Sequence, residues 1–270
     1  MRIFRSQKIT LDLVIKPMLF VCLSMTSAAS SYAQQLNVIT FGDSLLAGLK
    51  RDVPGPIICP DGVSLEPGRF DEADDRDVCY GNGAANVGGF QDDMAAISLS
   101  LGVTPNILNY GFSGITTSLM LAERSSVLSS LPSASHVIIM AGANDAIDDI
   151  SPSTVISNLD IVVRDVTRRG MIPILTTVTD HPVSNFGSIT SDYAVAIRQY
   201  AASNNFTLID ARAELVPWDN FHSGDLLHLG DAGDAVLAPL YLNAVGVNTD
   251  PELQTEGSFI PAIISLLLGD

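Results

Sequence analysis

The sequence predicts an α/β protein with a mostly parallel sheet of five strands and helices on both faces. Two observations predict this class. Five short runs are almost continuously apolar, as is typical of strands that are buried on both faces. Segments whose apolar residues recur at helical spacing lie between these runs. Because strands and helices alternate along the chain, parallel strands joined by helical crossovers are favoured.

The predicted strands are 37–41, 106–110, 136–141, 172–177 and 206–210. The predicted helices are 154–169, 190–203 and 231–243. The first helix has its apolar face at Val155, Ile156, Leu159, Val162, Val163 and Val166. No linker rich in proline or serine divides the chain, so we expect residues 34–270 to form a single domain.

Residues 1–33 have the pattern of a cleaved secretory signal peptide. Four basic residues come early, the short apolar run PMLFVCLSM follows them, and small residues stand at Ser31 and Ala33. A transmembrane anchor is the alternative. However, Lys16-Pro17 separates this run from the apolar residues before it, so the uninterrupted apolar stretch is well short of the ~20 residues that a span needs. We therefore expect export to the periplasm or the medium, without a stable membrane anchor.

The formal net charge of the 270-residue chain is −16. A surface this acidic repels phosphate backbones and anionic lipid headgroups, so nucleic acid is excluded as a partner. The oligomeric state is not predicted. The acidic run 71–77 lacks the glycine and the closing glutamate of a calcium-binding loop, which favours a solvated loop over a calcium site.

Two cysteines follow the predicted signal peptide, Cys59 and Cys79. In an exported protein such a pair indicates a disulfide. Metal binding would require further Cys or His nearby, and residues 54–97 contain none. We expect the disulfide to hold a loop insertion at about 51–90 over the pocket, and we expect no metal and no cofactor.

Polar loops follow the predicted strands, at the edge of a parallel sheet where ligands bind. FGDSLLAG puts Ser44 directly after the first strand, where free N–H groups at a helix start favour negative charge. NYGFSG follows the second strand and GAND the third. The N–H groups of Ser44 and Gly111 and the amide of Asn144 can converge on an oxyanion. Gly111 lets the backbone approach a substrate without a Cβ.

The blocks FGDSLLAG, NYGFSG, GAND and DLLH occur in the order and approximate spacing of the SGNH hydrolases, also called GDSL esterases, which this chain resembles. The resemblance spans about 37–242. It implies a flavodoxin-like three-layer α/β/α fold and a serine esterase without metal. Ser44 then corresponds to the nucleophile, Asp225 and His228 to the rest of the triad, and Ser44, Gly111 and Asn144 to the oxyanion hole.

The Asp-x-x-His spacing occurs twice, as Asp219…His222 and as Asp225…His228. The family pattern continues with a glycine five residues after its histidine. Gly233 stands at that distance from His228, whereas Leu227 stands there from His222. The pattern therefore favours His228 as the base.

The predicted function is a secreted serine esterase that hydrolyses carboxylic esters through an acyl-enzyme. Its substrates would be small molecules or lipids with short to medium acyl chains. Two alternatives remain: a carbohydrate deacetylase of the same fold, and a binding protein that has the fold without turnover.

Overall fold

The structure is a computed structural model that describes residues 34–51, 57–67, 77–181 and 186–250. The predicted signal peptide at 1–33 and most of the acidic run at 71–77 lie outside these residues.

A six-stranded sheet forms the middle of the molecule. Its strands are β1 (Gln35–Gly42), β6 (Ala84–Ala85), β7 (Thr104–Gly111), β8 (His136–Met140), β9 (Ile172–Thr176) and β10 (Thr207–Ile209). Their order across the sheet is β10-β9-β8-β1-β7-β6. The five predicted strands are confirmed and run parallel. The prediction of five strands is wrong by one, because β6 pairs antiparallel with β7 at the edge. With two residues, β6 is too short to show a periodic pattern.

Helices cover both faces of the sheet, which gives the predicted three layers. They are α1 (Ser44–Ala47), α2 (Phe90–Ser100), α3 (Thr117–Ser129), α4 (Ala143–Ile147), α5 (Pro152–Arg168), α6 (Phe186–Asn204), α7 (Ala211–Glu214) and α8 (Asp231–Ala244). Helix α2 packs on α8, while α3, α5 and α6 pack on one another in turn. The five parallel strands have the flavodoxin-like order. Successive strands are added on one side of β1 first and then on the other, so the switch point lies between β1 and β8.

Helix α5 shows why these segments fold as predicted. Ser151 caps its N-terminus by accepting the N–H of Thr154, and Pro152 occupies the first turn, where its missing N–H costs nothing. The predicted apolar face, except for Ile156, is buried in the core. The three predicted helices are confirmed, each with bounds within four residues of those expected.

The described parts of the 51–90 insertion include two pairs of short strands. Strand β2 (Lys50–Arg51) pairs with β3 (Ile57–Ile58), and β4 (Ser64–Pro67) pairs with β5 (Asp77–Tyr80). Of these strands, β5 contacts β7. The structure contains the predicted disulfide between Cys59 and Cys79. Strand β5 lies against the segment that follows β7, since Ser113 donates its N–H and its Oγ–H to the Cys79 carbonyl, at 3.2 and 2.8 Å.

Candidate active site

Ser44 is the first residue of α1, directly beyond the end of β1. The turn is fixed by Asp43, whose Oδ1 accepts the N–H of Leu45 at 3.1 Å as the cap of α1. The N–H of Ser44 precedes the intrahelical bonds of α1, and no group among the described residues accepts it. The hydroxyl and this free N–H therefore lie together at the carboxyl edge of the sheet.

A chain of hydrogen bonds links Ser44, His228 and Asp225, which we call the hydrogen-bonded triad. His228 Nε2 lies 3.0 Å from Ser44 Oγ, and His228 Nδ1 lies 2.6 Å from Asp225 Oδ2. The side chains of His228 and Asp225 are only 10% and 8% exposed. This geometry lets the imidazole accept the serine proton while the carboxylate fixes the ring.

The Asp225 carboxylate is held in its ionised form. Burial opposes ionisation, but the hydrogen bond and charge of His228 and the N–H groups of His228 and Leu227 outweigh it. Together they lower the pKa of Asp225 well below its usual range. A carboxylate that stays charged stabilises the positive charge that develops on His228 when it takes a proton.

His222, the alternative base, points elsewhere. Its Nδ1 accepts the N–H of Gly224 at 2.9 Å, and its ring lies 6.1 Å from that of Trp218. Asp219 is exposed in the 3₁₀ turn Trp218–Asn220. The structure thus brings Ser44, Asp225 and His228 together and leaves the other Asp-x-x-His pair apart.

The expectation for Gly111 requires correction. Its N–H donates to Asn109 Oδ1 at 2.8 Å and is therefore not available to an oxyanion in this structure. A Cβ at this position would come within 2.1 Å of the Ala47 nitrogen. Gly111 is therefore glycine because β7 and α1 approach closely, and the close approach inferred from the sequence is to α1 rather than to a substrate.

Gly114, three residues later, is a candidate donor that the sequence reasoning missed. It has a φ of 78°, which favours glycine, and no group among the described residues accepts its N–H. Ile115 follows Gly114 in the chain, and its carbonyl accepts a hydrogen bond from the Asn144 amide at 3.0 Å. The side chain of Asn144 therefore lies beside Gly114. The second glycine of NYGFSG, the one beyond the strand, was the available signal.

Asp145 fixes the position of α4, the helix that carries Asn144. Its buried carboxylate accepts the N–H and the Oγ–H of Thr117 at the start of α3, at 2.9 and 2.5 Å. Two short connections at the edge of the sheet are thereby joined through one side chain.

A cavity of about 170 Å³ lies beside the hydrogen-bonded triad. It is lined by Ala143, Ala146, Ile147, His181, Thr190, Asp225, Leu226 and Leu227. Most of this lining is apolar. His181 follows β9, and its ring meets that of Trp218 edge-on at a centroid distance of 6.0 Å.

Within the described ranges, no group of three or more His, Cys, Asp or Glu side chains is arranged to hold a metal ion. In that same part of the chain, no helix is long and apolar enough to cross a membrane.

Comparison with known proteins identifies the family. The model of the GDSL-like lipase/acylhydrolase family matches residues 40–236, which include the whole hydrogen-bonded triad. The chain belongs to this family. As a GDSL hydrolase it is a carboxylic ester hydrolase, so the alternative of a binding protein without turnover is not retained.

Solved structures share the fold of this GDSL hydrolase. Axe2, an acetylxylan esterase from Geobacillus stearothermophilus, is 18% identical with a TM-score of 0.57, over 79% of this chain and 94% of that one. LAE5, an alpha/beta hydrolase enzyme from the metagenome of Lake Arreo, Spain, is 18% identical with a TM-score of 0.59, over 81% and 99%. None of the curated proteins compared with the chain matches it significantly.

Proposed function

We propose that this GDSL hydrolase is a serine esterase with Ser44 as nucleophile, His228 as general base and Asp225 as the group that orients His228. The single observation that carries the proposal is the continuous hydrogen bonding from Ser44 Oγ through both nitrogens of His228 to Asp225. A serine needs such a base, because its hydroxyl is a weak nucleophile at neutral pH.

Acylation begins when Ser44 Oγ attacks the ester carbonyl and its proton passes to His228 Nε2. The carbonyl oxygen becomes an oxyanion, for which we propose three donors: the N–H groups of Ser44 and Gly114 and the Nδ2–H of Asn144. Gly114 replaces Gly111 in this role because its N–H is free. Donors that are already in place lower the barrier without reorganising as the charge develops.

Collapse of the tetrahedral intermediate breaks the bond to the alcohol oxygen, and His228 gives this oxygen the proton. A water molecule then attacks the acyl-enzyme while His228 takes its proton, and the second collapse returns the proton to Ser44 Oγ. The acid leaves and the enzyme is restored. Asp225 stays ionised throughout and stabilises the protonated form of His228.

For the substrate we propose small-molecule or lipid-type esters with short to medium acyl chains. The cavity beside the triad is small and mostly apolar, which suits a short acyl group. A carbohydrate deacetylase is the second candidate, because acetyl is the shortest of these groups and Axe2, which shares the fold, is an acetylxylan esterase.

We further propose that the protein is exported and that residues 34–270 act as one domain after removal of 1–33. The disulfide between Cys59 and Cys79 supports this, because disulfides persist in oxidising compartments.

Steady-state hydrolysis of 4-nitrophenyl acetate and butyrate tests the assignment. Ser44→Ala and His228→Ala are each expected to lower kcat by about 10⁴-fold or more, whereas His222→Ala should stay within about threefold of the wild type. An Ser44→Ala variant that keeps its turnover would contradict the proposal, as would a His222→Ala variant as impaired as His228→Ala.

A further inference from the structure

His181 is a polar side chain that lies buried in the fold. The residue is 3% exposed, and neither Nδ1 nor Nε2 has a hydrogen-bond partner among the described residues. A buried polar group without a partner destabilises the folded protein, because it loses its hydrogen bonds to water and gains none in return. An unsatisfied buried group in a folded protein therefore needs an explanation, and a partner from outside the chain is one.

His181 is one of the residues that line the cavity beside the triad, so a molecule bound there lies next to its ring. His181 lines it together with Asp225, and the other walls are mainly the apolar side chains of Ala143, Ala146, Ile147 and the two leucines of DLLH. Ala143 directly precedes Asn144, so the cavity extends from the proposed oxyanion hole to the carboxylate of the triad. A bound ester would therefore place one of its substituents here.

The ring of His181 is held and is uncharged. Trp218 packs edge-on against it and donates Nε1–H to the carbonyl of Leu226 at 3.0 Å. One indole therefore holds two of the residues that line the cavity, His181 and Leu226. Burial, and after it the repulsion that His228 exerts when it is protonated, lower the pKa of His181 to about 4. A neutral imidazole offers one N–H donor and one acceptor.

We propose that His181 is a specificity-determining residue that donates a hydrogen bond to a second oxygen of the substrate, so that the cavity selects esters with an ether or hydroxyl oxygen over plain alkyl esters. The inference rests on the proposed function, because the cavity matters only if the triad cleaves esters. The oxygen can belong to the acyl part or to the alcohol part, and matched substrates separate the two.

The experiment compares esters of equal size. For the acyl part the pair is 4-nitrophenyl methoxyacetate and 4-nitrophenyl butyrate; for the alcohol part it is 2-methoxyethyl acetate and butyl acetate. In each pair an oxygen replaces one methylene. The measured quantity is the ratio of kcat/KM for the oxygen-bearing ester to that for the alkyl ester. Comparing this ratio between wild type and variants cancels the intrinsic reactivity of the esters.

We expect His181→Leu to lower this ratio about fivefold to tenfold for one of the pairs, as the loss of one buried hydrogen bond implies. His181→Gln keeps an N–H donor and should stay within about twofold of the wild-type ratio. His222→Leu is the matched control, because the ring of His222 also contacts Trp218 but His222 does not line the cavity, and it should leave both ratios unchanged. Thermal unfolding of each variant separates misfolding from altered selectivity.

The pair that responds tells which part of the ester enters the cavity. Unchanged ratios in His181→Leu for both pairs would overturn the inference while leaving the esterase intact. A wild type that hydrolyses none of the four esters would instead contradict the proposed function and, with it, this inference.

Discussion

Leu226 is held in a conformation that leucine rarely adopts. It stands between Asp225 and the histidine of the triad with a φ of 64°. This left-handed conformation costs roughly 1–2 kcal/mol for a residue with a Cβ. The Trp218 indole bonds its carbonyl and so helps to hold it. The family often has glycine at the position of Leu226. In this chain a neighbouring aromatic residue helps to fix the turn instead.

Replacing Leu226 by glycine and by alanine tests this strain. Both variants lose the leucine side chain, but only glycine tolerates the positive φ, so we expect Leu226→Gly to be more stable than Leu226→Ala by about 1 kcal/mol. Leu99, exposed within α2, is the control and should show the opposite order by about 1 kcal/mol. Chemical denaturation measures both pairs, and the same order at both sites would contradict the strain.

At this scale, the blocks that the chain shares with the SGNH hydrolases predicted Ser44, Asp225 and His228, because the family pattern distinguishes His228 from His222. Two glycines in NYGFSG could not be told apart in the same way. The distinction depends on which N–H is already bonded, and the acceptor of the Gly111 N–H is the side chain of Asn109. Likewise, a sequence shows that His181 exists but not that both of its nitrogens lack partners.

Among the elements, β5 holds the segment that carries Gly114. The carbonyl of Cys79 accepts two hydrogen bonds from Ser113, and the N–H of Gly81 donates to the carbonyl of Gly111 at 2.8 Å. The disulfide to Cys59 anchors β5 in turn. The insertion therefore supports one of the proposed oxyanion donors through backbone contacts.

Removing the disulfide should affect both stability and turnover. For the Cys59→Ala/Cys79→Ala double variant we expect the free energy of unfolding to fall by about 3 kcal/mol, as loop entropy implies for a separation of 20 residues. We expect kcat to fall severalfold with little change in KM, because an oxyanion donor acts mainly in the transition state.

Ser113→Ala is the partial control, since it removes only the Oγ–H bond and should lower the free energy of unfolding by about 1 kcal/mol. Denaturation and steady-state kinetics measure both effects. Unchanged kcat in the double variant would show that β5 does not position the loop.

The long elements were predictable and the short ones were not. Buried strands such as β8 and amphipathic helices such as α5 have enough residues to display a period. By contrast, β6 has only two residues. The hydrogen bonds from Thr117 to Asp145 join two helices across 28 residues of sequence, a distance over which no local pattern extends. Contacts of this kind depend on the completed fold.

Across the whole molecule, buried carboxyl groups add to the free-energy cost of folding a chain with a high negative charge. Burial raises the pKa of Asp43 to about 7 and that of Asp234 to about 7, in the latter case against the attraction of the Lys50 ammonium 3.3 Å away. A raised pKa means that the folded state holds the proton more tightly than the unfolded state. The corresponding stability is present at acidic pH and is lost as the pH rises through about 7.

Asp234→Asn should flatten this dependence. We expect the wild type to lose stability from pH 5 to pH 8 and the variant to lose roughly 2–3 kcal/mol less, because the amide has no proton to release. Exposed Asp231, whose pKa Lys50 lowers, is the control, and Asp231→Asn should keep the wild-type slope in this range. Calorimetry across the pH range measures the slopes, and equal slopes for all three proteins would contradict the assignment.

The topology of the whole molecule explains why the site could be located before its substrate. Any parallel sheet of this order brings the ends of β1, β7 and β8 together, so the loops after these strands had to meet. The fold does not determine which ester is cleaved, because that depends on the walls of one small cavity.

The central claim is that Ser44 is activated by His228, and covalent labelling tests it most directly. Wild type, His228→Ala and His222→Ala are exposed to a fluorophosphonate probe, and intact-mass and peptide mass spectrometry locate the adduct. We predict a single adduct on Ser44 in the wild type and in His222→Ala, and none in His228→Ala. Absence of an adduct on folded wild type, or undiminished labelling of His228→Ala, would contradict the account.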